Sequence, residues 1–309
     1  MDRKNKETRG DIHARITDRI VAELEKGVRP WVQPWSSGSR LGRITRPLRH
    51  NGQPYQGINT LLLWSEAVAK GFVSPIWMTF KQSVDLGGRR IIKKTGTTVV
   101  YASRFIKTET DAHGDEIERG IPFLKAYSVF CADQIDGLPD QYYAAPVPIA
   151  EPEPAERIEH ADRFFDNTGA VVRYGGDKAF YSPASDHIQL PRPETFKDMA
   201  GFVAVRAHET CHWSGSNHRL DRQFGKRFGD HAYAFEELVA ELGSCFLCAD
   251  LGIVPELEPR PDHASYLCSW LKLLADDRRA IFSAAANAQR AVTYLHDLQP
   301  SASEGQAAA

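Results

Sequence analysis

Apolar residues recur at helical spacing near the start of the chain, with polar residues between them. One such pattern spans residues 11–27, and Gly27 follows it at a position where helices commonly end. The apolar residues on this face are Ile12, Ile16, Ile20, Val21 and Leu24. The same spacing predicts a second helix over 59–70 and a short third helix over 79–84.

Residues 89–130 change to β-branched and aromatic runs, which favour strands. The runs 89–92 and 97–105 are separated by a Lys-Lys-Thr-Gly segment and predict a β-hairpin. The polar, acidic stretch 109–119 predicts the exposed tip of a second hairpin, whose return strand is 123–130. We therefore expect a first domain of mixed α/β structure that ends near Pro139.

A stretch rich in proline and alanine, residues 140–155, predicts a linker. Helices are predicted beyond it over 157–167, 195–213, 232–251, 262–276 and 278–297. Short strands are predicted over 171–174, 179–181 and 187–190, and a disordered tail over 301–309. The fold class is therefore predicted to be α+β. An N-terminal mixed α/β domain (1–139) is linked to a C-terminal, mainly helical domain with a small sheet (156–300).

Composition and charge narrow the function classes. No run of about 18 apolar residues is present, the first residues lack an apolar signal segment, and five cysteines are too few for a disulfide framework. We therefore expect a cytoplasmic protein without a membrane partner. Residues 1–108 contain 20 Lys and Arg against 8 Asp and Glu, whereas the remainder contains 18 against 32. This asymmetry indicates that the first half contacts a polyanion.

The strongest chemical signal is an H-E-x-x-H pentad at His208–His212, within a segment predicted to be helical. Residues four apart share one face of a helix, so His208 and His212 can both reach one metal ion. Glu209 then lies beside that ion, where its carboxylate can take a proton from an activated water molecule. The pentad predicts a zincin-type centre with Glu209 as the catalytic carboxylate.

A third ligand must come from another segment. Glu237 and Glu241 are four residues apart on the next predicted helix, which resembles the gluzincin arrangement of a ligand glutamate followed by an acid that holds a ligand histidine. We assign Glu237 as the ligand and Glu241 as that supporting acid. Two alternatives remain open at this point. Glu236 is the neighbouring carboxylate, and His218 follows the pentad at the spacing of the third histidine in metzincins.

Aromatic and cationic residues are interleaved in the first half, as in proteins that stack bases on aromatic rings and pair phosphates with cations. A proline-stiffened segment carries two tryptophans and leads into an arginine-rich loop. The residues predicted to bind DNA are Trp31, Trp35, Arg40, Arg43, Arg46, Arg49, Tyr55, Asn59, Lys81, Lys93 and Lys94. Single-stranded DNA is the predicted partner.

An ordered series of motifs runs from about residue 11 to 297. It includes RPWVQPW, NGQPYQGINTLLLW and PIWMTFKQSVDLGG in the first half, and YSPASDHIQLP, HETCHWSGSNHRLDR and AFEELVAELG in the second. This series resembles the ArdC-type antirestriction proteins of conjugative plasmids, and its first part also resembles plasmid TraC-type primases. Cys131 departs from the family pattern, where asparagine is expected, and the Lys-Lys-Thr-Gly turn is a weakened form of the family's turn. Both departures concern fine DNA contacts.

The resemblance implies a single-stranded-DNA-binding domain followed by a zincin-like metallopeptidase domain that helps incoming DNA evade restriction. It also implies that Glu237 is the third metal ligand, ahead of Glu236 and His218. We expect one divalent ion, zinc or alternatively manganese, since two imidazoles and a carboxylate suit both. A host protein associated with DNA is the expected peptidase substrate. The alternatives are a non-catalytic module that occludes DNA, or a primase accessory factor, in which the metal is structural.

Overall fold

The computed structural model describes residues 9–31, 46–91, 95–110, 116–143, 154–225, 230–253 and 263–300. Three helices form in the first half where the apolar spacing predicts them, namely α1 (Arg9–Leu24), α2 (Ile58–Lys70) and α3 (Phe80–Asp85). Helix α3 begins at a capping box, in which Thr79 and Gln82 each accept a hydrogen bond from the other's backbone N–H.

Six strands accompany these helices in the described part of the first half. They are β1 (Leu48–Arg49), β2 (Ile76–Met78), β3 (Arg90–Ile91), β4 (Thr97–Thr110), β5 (Glu116–Cys131) and β6 (Ile135–Asp136). Four of them form one sheet in the order β1-β2-β5-β4, in which β1 and β2 are parallel and the other pairs antiparallel. Strands β3 and β6 form a separate antiparallel pair.

The pairing of β3 corrects one prediction. Residues 89–92 were expected to form a hairpin with 97–105, but Arg90 and Ile91 pair with Asp136 and Ile135 instead. Strand β4 pairs along its whole length with β5, from Thr97 opposite Val129 to Thr110 opposite Glu116. The second predicted hairpin is therefore confirmed. Its strands are longer than expected because the polar residues 109–110 and 116–119 continue the ladder.

The second half is mainly helical. Its helices are α4 (Pro154–Asp166), α5 (Met199–Ser214), α6 (His231–Leu251), α7 (His263–Asp276) and α8 (Ala280–Asp297). A small sheet contains β7 (Val171–Tyr174), β8 (Phe180–Ser182) and β9 (His187–Leu190) in the order β7-β9-β8, with β7 and β9 parallel. The predicted α+β class is confirmed. None of the helices among the described residues is long and apolar enough to cross a membrane.

One hydrophobic core joins the two halves. Ile16 of α1 and Trp64 of α2 are buried in the same cluster as the apolar residues of α5, α6 and α8. The Trp64 ring lies 5.9 Å from that of Phe246 on α6, and Thr17 donates a hydrogen bond of 2.7 Å to the backbone carbonyl of Arg278. Burying an aromatic or aliphatic side chain of this kind contributes about 1.5–3 kcal/mol. Hydrophobic burial therefore holds the N-terminal helices against the second half of the chain.

Candidate metal centre

The pentad lies on α5, which begins where the Asp198 carboxylate accepts a 2.6 Å hydrogen bond from the backbone N–H of Gly201. From Val205 to Ser214 every residue of this helix is buried, because α5 packs against α4, α6 and α8 and against strands β8 and β9. His208, Glu209 and His212 are each less than a tenth exposed. Polar side chains with so little access to water need partners of their own.

Helix α6 supplies a carboxylate to both histidines. The His208 Nε2 atom lies 3.5 Å from one Glu237 oxygen, and the His212 Nε2 atom lies 3.6 Å from the other. One potential ligand atom from each of these three residues lies within 4.8 Å of the other two. Two imidazoles and a carboxylate facing a common point fit a divalent metal ion.

A glycine permits the close approach of α5 and α6. A Cβ atom on Gly243 of α6 would lie 2.6 Å from the Sγ atom of Cys211, which is completely buried on α5. One residue further on, the Ser244 hydroxyl donates a 2.9 Å hydrogen bond to the Ala204 carbonyl. These contacts bring the two helices close enough for Glu237 to meet both histidines. Cys211 is a packed residue, as its position on the helix predicts.

The other ring nitrogen of each histidine faces a second glutamate. His212 Nδ1 lies 3.1 Å from Glu236, a hydrogen-bonding distance. His208 Nδ1 is buried without a hydrogen bond, and it lies 3.9 Å from the Glu241 carboxylate. Carboxylates in these positions fix the tautomer and orientation of ligand imidazoles. The sequence predicts Glu241 as the acid that holds a ligand histidine, whereas it offers Glu236 only as an alternative third ligand.

Arg222 holds Glu236 in place. Its Nε and Nη2 atoms donate hydrogen bonds of 3.0 and 2.8 Å to the two Glu236 oxygens, and Nη2 also donates to the Cys211 carbonyl at 2.6 Å. A third nitrogen, Nη1, donates to the Ser214 hydroxyl at 3.1 Å. A Cβ atom on Gly215 would lie 2.6 Å from Nη2. The absence of a side chain at Gly215 therefore makes room for this guanidinium.

His218 lies away from the three converging side chains. Its side chain is 57% exposed, and its Nε2 atom lies 3.4 Å from Asp186. The group of ligand-type residues that the structure brings together in its described ranges is His208, His212 and Glu237. The geometry thus corresponds to the gluzincin-like arrangement.

Hydrogen bonds control the charges of the centre. Burial on its own lowers the pKa of His212, but the hydrogen bond to Glu236 and the close contact with the Glu237 carboxylate outweigh burial and raise this pKa to about 10. Burial acts to raise the pKa of Glu237, yet the contacts with His208 and His212 hold this pKa well below its usual range. Without a cation, the site therefore retains a proton on His212 between two negative carboxylates.

Tyr233 is a residue of this region that the sequence analysis missed. It precedes Glu237 by one helical turn, and its hydroxyl lies 3.3 Å from that of Tyr266. Burial, followed by the contacts with Tyr266 and Glu237, raises the pKa of Tyr233 above its usual range. The phenol therefore stays protonated and can donate a hydrogen bond. Its spacing of four residues from Glu237 is the signal that could have revealed it.

The structure assigns internal roles to several residues that were predicted to bind DNA. Trp31 is 1% exposed, and its ring packs edge-on against Trp270 of α7 at 5.8 Å. Its burial leaves no face for a base to stack on, so this prediction does not fit the structure. The predicted residues that lie outside the described ranges are Trp35, Arg40, Arg43, Lys93 and Lys94.

Arg46 is also internal. Its guanidinium donates hydrogen bonds of 2.7 and 2.8 Å to the two Asp250 oxygens and lies over the Phe246 ring at 4.8 Å. The Asn59 side-chain amide donates a hydrogen bond of 2.8 Å to the Val100 carbonyl and accepts one of 2.8 Å from the Val100 N–H. The predicted DNA contacts of these residues do not fit their internal bonds. Each stabilises a packed element instead.

Tyr55, Arg49 and Lys81 complete the predicted DNA-binding set. Tyr55 is 5% exposed and packs in a small core, which does not fit stacking on a base. Arg49 and Lys81 are exposed, and the Arg49 guanidinium lies 5.5 Å from the centre of the Tyr55 ring.

The β4–β5 ribbon offers aromatic groups that lie outside the predicted DNA-binding set. Tyr101 and Tyr127 are 53% and 39% exposed. Tyr101 lies opposite Lys125, and Val99 opposite Tyr127, so these side chains share one face of the ribbon. The Phe123 ring lies 6.1 Å from that of Tyr101 and 5.2 Å from the Lys125 ammonium. This strip of Tyr101, Phe123, Lys125 and Tyr127 is called the ribbon face below.

Fold and site together define a zincin-like metallopeptidase domain preceded by a mixed α/β domain. The zincin-like metallopeptidase family matches residues 159–287, and the N-terminal domain of the anti-restriction factor ArdC matches residues 10–130. The metal-free crystal structure of the antirestriction protein ArdC from plasmid R388 is 41% identical and has a TM-score of 0.73, covering 93% of this chain and 97% of that one. The chain belongs to the ArdC family of antirestriction proteins, as its motifs indicate.

Other relatives are similar over more than nine-tenths of this chain. A second crystal structure of the R388 protein is Mn(II)-bound, with a TM-score of 0.72 and the same 41% identity. An uncharacterised protein of Sinorhizobium fredii is 40% identical over 302 residues, which are 96% of this chain and 95% of that protein. DNA primase TraC of Escherichia coli is 34% identical over 92% of this chain, but the match spans only 27% of the primase.

Proposed function

We propose that this antirestriction protein binds single-stranded DNA with its N-terminal half and hydrolyses a peptide bond at a metal centre in its C-terminal half. The observation that carries the proposal is the convergence of His208, His212 and Glu237 beside the buried Glu209. Protein substrates that sit on transferred DNA would then be brought to the centre by the same chain. A host protein bound to incoming DNA is the substrate class that this arrangement serves.

The proposed ligands are the Nε2 atoms of His208 and His212 and the carboxylate of Glu237. A bound divalent cation supplies Lewis-acid chemistry, because it polarises a carbonyl and makes water a better nucleophile near neutral pH. Two imidazoles and one carboxylate suit zinc and manganese alike, and the R388 relative has been crystallised with Mn(II). We therefore propose one divalent ion, zinc or manganese.

The remaining chemistry belongs to side chains of the protein. Glu209 takes the proton of the attacking water and transfers it to the departing amine. Glu236 and Glu241 keep the two imidazoles in the orientation that presents Nε2 to the ligand position. The protonated Tyr233 hydroxyl donates a hydrogen bond to the carbonyl oxygen as negative charge develops on it.

We propose that single-stranded DNA binds the ribbon face. Exposed aromatic rings stack on bases without sequence preference, at about 1–3 kcal/mol per base, while the Lys125 ammonium pairs with a phosphate. The net positive charge of residues 1–108 attracts the strand over a longer distance. DNA contacts by the arginines and tryptophan of the 32–45 segment, which lies outside the described residues, stay a prediction.

Metal analysis tests the ligand set. Wild type, His208→Ala and Glu237→Ala are loaded with Zn²⁺ or Mn²⁺, dialysed and analysed for bound metal, and each is titrated with a fluorescent oligothymidine. We expect one ion per wild-type chain, loss of the ion in both variants and unchanged DNA affinity. Retention of the metal in Glu237→Ala would remove Glu237 from the ligand set and return Glu236 and His218 as candidates.

DNA binding has its own matched pair of variants. Replacing both Tyr101 and Tyr127 with alanine removes two stacking surfaces and should weaken oligothymidine binding by about 2–6 kcal/mol, at 1–3 kcal/mol for each stacked base. Tyr174→Ala is the control, because Tyr174 is 50% exposed on the other half of the protein. Equal affinities for the two proteins would exclude the ribbon face as the DNA site.

Glu209→Gln separates catalysis from occlusion. The variant should keep its metal and its DNA affinity but cleave fluorescent casein about 100–10,000-fold more slowly than wild type. Cleavage at the wild-type rate would remove Glu209 from the mechanism. Protection of transferred DNA that survives this substitution, but not the loss of Tyr101 and Tyr127, would assign antirestriction to occlusion of the strand.

A further inference from the structure

Arg29 connects the N-terminal half to the metal centre. It follows α1, and its Nη1 atom donates a 2.6 Å hydrogen bond to the Oε1 atom of Glu241 on α6. Both side chains are largely buried, with 13% and 12% exposure. A charged hydrogen bond with this little access to water is stronger than a surface ion pair. Its geometry therefore matters to the residue at each end.

The other oxygen of Glu241 faces the centre. Oε2 lies 3.9 Å from the Nδ1 atom of His208, which is buried and has no hydrogen bond in the structure. When Nε2 of this histidine holds a cation, Nδ1 carries the proton and requires an acceptor. Glu241 is the carboxylate that can supply it. Arg29 fixes one Glu241 oxygen and so determines where the other can lie.

We call a histidine, the glutamate that faces its Nδ1 atom and the arginine bonded to that glutamate a relay. The centre has two relays, and their arginines come from different halves of the chain. The His212–Glu236–Arg222 relay lies entirely within the second half of the chain. The His208–Glu241 relay ends on an arginine of the first half. A residue of the N-terminal half is thus bonded to the glutamate that faces Nδ1 of His208.

Arg29 is itself anchored. Trp31, two residues later, is buried against Trp270 of α7, and Trp270 stacks on Tyr266 at 6.0 Å. Tyr266 in turn contacts Tyr233, the neighbour of Glu237 one turn away. The segment that carries Arg29 is thus held on the helices of the second half by an aromatic contact as well as by the ion pair.

We propose that Arg29 is a positioning residue of the metal centre, which acts through Glu241 on His208 and makes the site a joint product of both halves of the chain. The inference rests on the proposed metal site. It adds that the N-terminal half is part of that site and not only a DNA-binding attachment. Substitutions in this half should then change the metal affinity although they replace none of the proposed ligands.

Mn²⁺ affinity of the full chain, measured by calorimetry, tests the proposal. We expect Arg29→Ala to weaken binding by about 10–100-fold, the usual effect of losing a residue that orients a ligand, and Arg29→Lys to restore part of it. In a Glu241→Ala background, Arg29→Ala should have no further effect on Mn²⁺ affinity. A general loss of stability would instead weaken binding in either background.

Arg278→Ala is the matched control. Arg278 pairs with Asp18 and so joins the same two halves at an exposed position away from the ligands. Its Mn²⁺ affinity should equal that of wild type. Wild-type affinity in Arg29→Ala, with metal lost in His208→Ala, would overturn this inference and leave the proposed function intact. Failure of the wild-type protein to bind Mn²⁺ or Zn²⁺ would overturn both.

Discussion

Arg222→Ala removes the cation that balances Glu236. The Arg222 and Glu236 side chains are 6% and 4% exposed, so the remaining carboxylate has almost no access to water. Its other charged neighbour is His212, at 3.1 Å. Removing one partner of a buried pair generally costs about 3–5 kcal/mol, since an uncompensated charge stays behind. We expect the free energy of unfolding to fall by about that amount.

Urea unfolding in the presence of EDTA measures this loss without a contribution from bound metal. Arg290→Ala serves as a control, because Arg290 is an exposed arginine of α8 and its loss should change stability by less than about 0.5 kcal/mol. The double variant Arg222→Ala/Glu236→Gln should be more stable than Arg222→Ala alone, since the introduced amide carries no negative charge that needs the missing guanidinium. This recovery identifies the charge, not the lost packing, as the main cause.

The same variant should also affect the metal. Arg222 holds the carboxylate that orients His212, so its loss should weaken Mn²⁺ or Zn²⁺ binding by about 10–100-fold. If Arg222→Ala lowers the free energy of unfolding by less than about 1 kcal/mol, close to the effect of Arg290→Ala, this prediction is wrong. A buried carboxylate that loses its main partner should destabilise the protein by more than that.

Three further outcomes follow from the geometry. Metal affinity should rise by up to about tenfold per pH unit between about pH 6 and pH 8. The reason is that the pKa of His212 is raised to about 10, so the incoming cation must displace a proton. A metal affinity that does not change with pH would contradict this prediction. Gly243→Ala should destabilise the protein by about 1–3 kcal/mol in thermal unfolding, because its Cβ meets the Sγ atom of Cys211, and Cys211→Ala should relieve the cost. Trp31→Ala should lower the free energy of unfolding by about 3–5 kcal/mol and leave the affinity for oligothymidine unchanged. Weaker DNA binding with wild-type stability would instead support Trp31 as a base-stacking residue.

Local patterns predicted the helices well because their signals lie within a few residues. The apolar spacing of α1 and α2 and the four-residue separation of His208 and His212 are periodic features of a single segment. The partner of β3 could not be read in this way. Residues 89–92 and 97–105 are close in the chain, but Arg90 and Ile91 pair with β6, more than forty residues away. Strand pairing depends on packing that a local pattern does not contain.

The DNA-binding residues illustrate the same limit. The local sequence around an arginine or tryptophan in a basic segment does not show whether the side chain faces water or packs against a helix of the other half. Arg46 bonds to Asp250, and Trp31 packs on Trp270, because folding brings residues more than 200 positions apart into contact. The exposed tyrosines of the ribbon face are absent from the predicted DNA-binding set because a strand with polar neighbours gives no sign of which face stays uncovered.

The sequence by itself determined the family, the class of fold and the helix face that carries His208, Glu209 and His212, since each depends on residue types at short spacing. Only the tertiary structure decided which groups surround these residues. Glu236 and Glu237 are adjacent in the chain, yet one faces Nδ1 of His212 with Arg222 and the other faces Nε2. That difference arises from the side-chain directions on α6 and from its close packing against α5. The contribution of Arg29 arises from a core shared by both halves, which no segment could reveal alone.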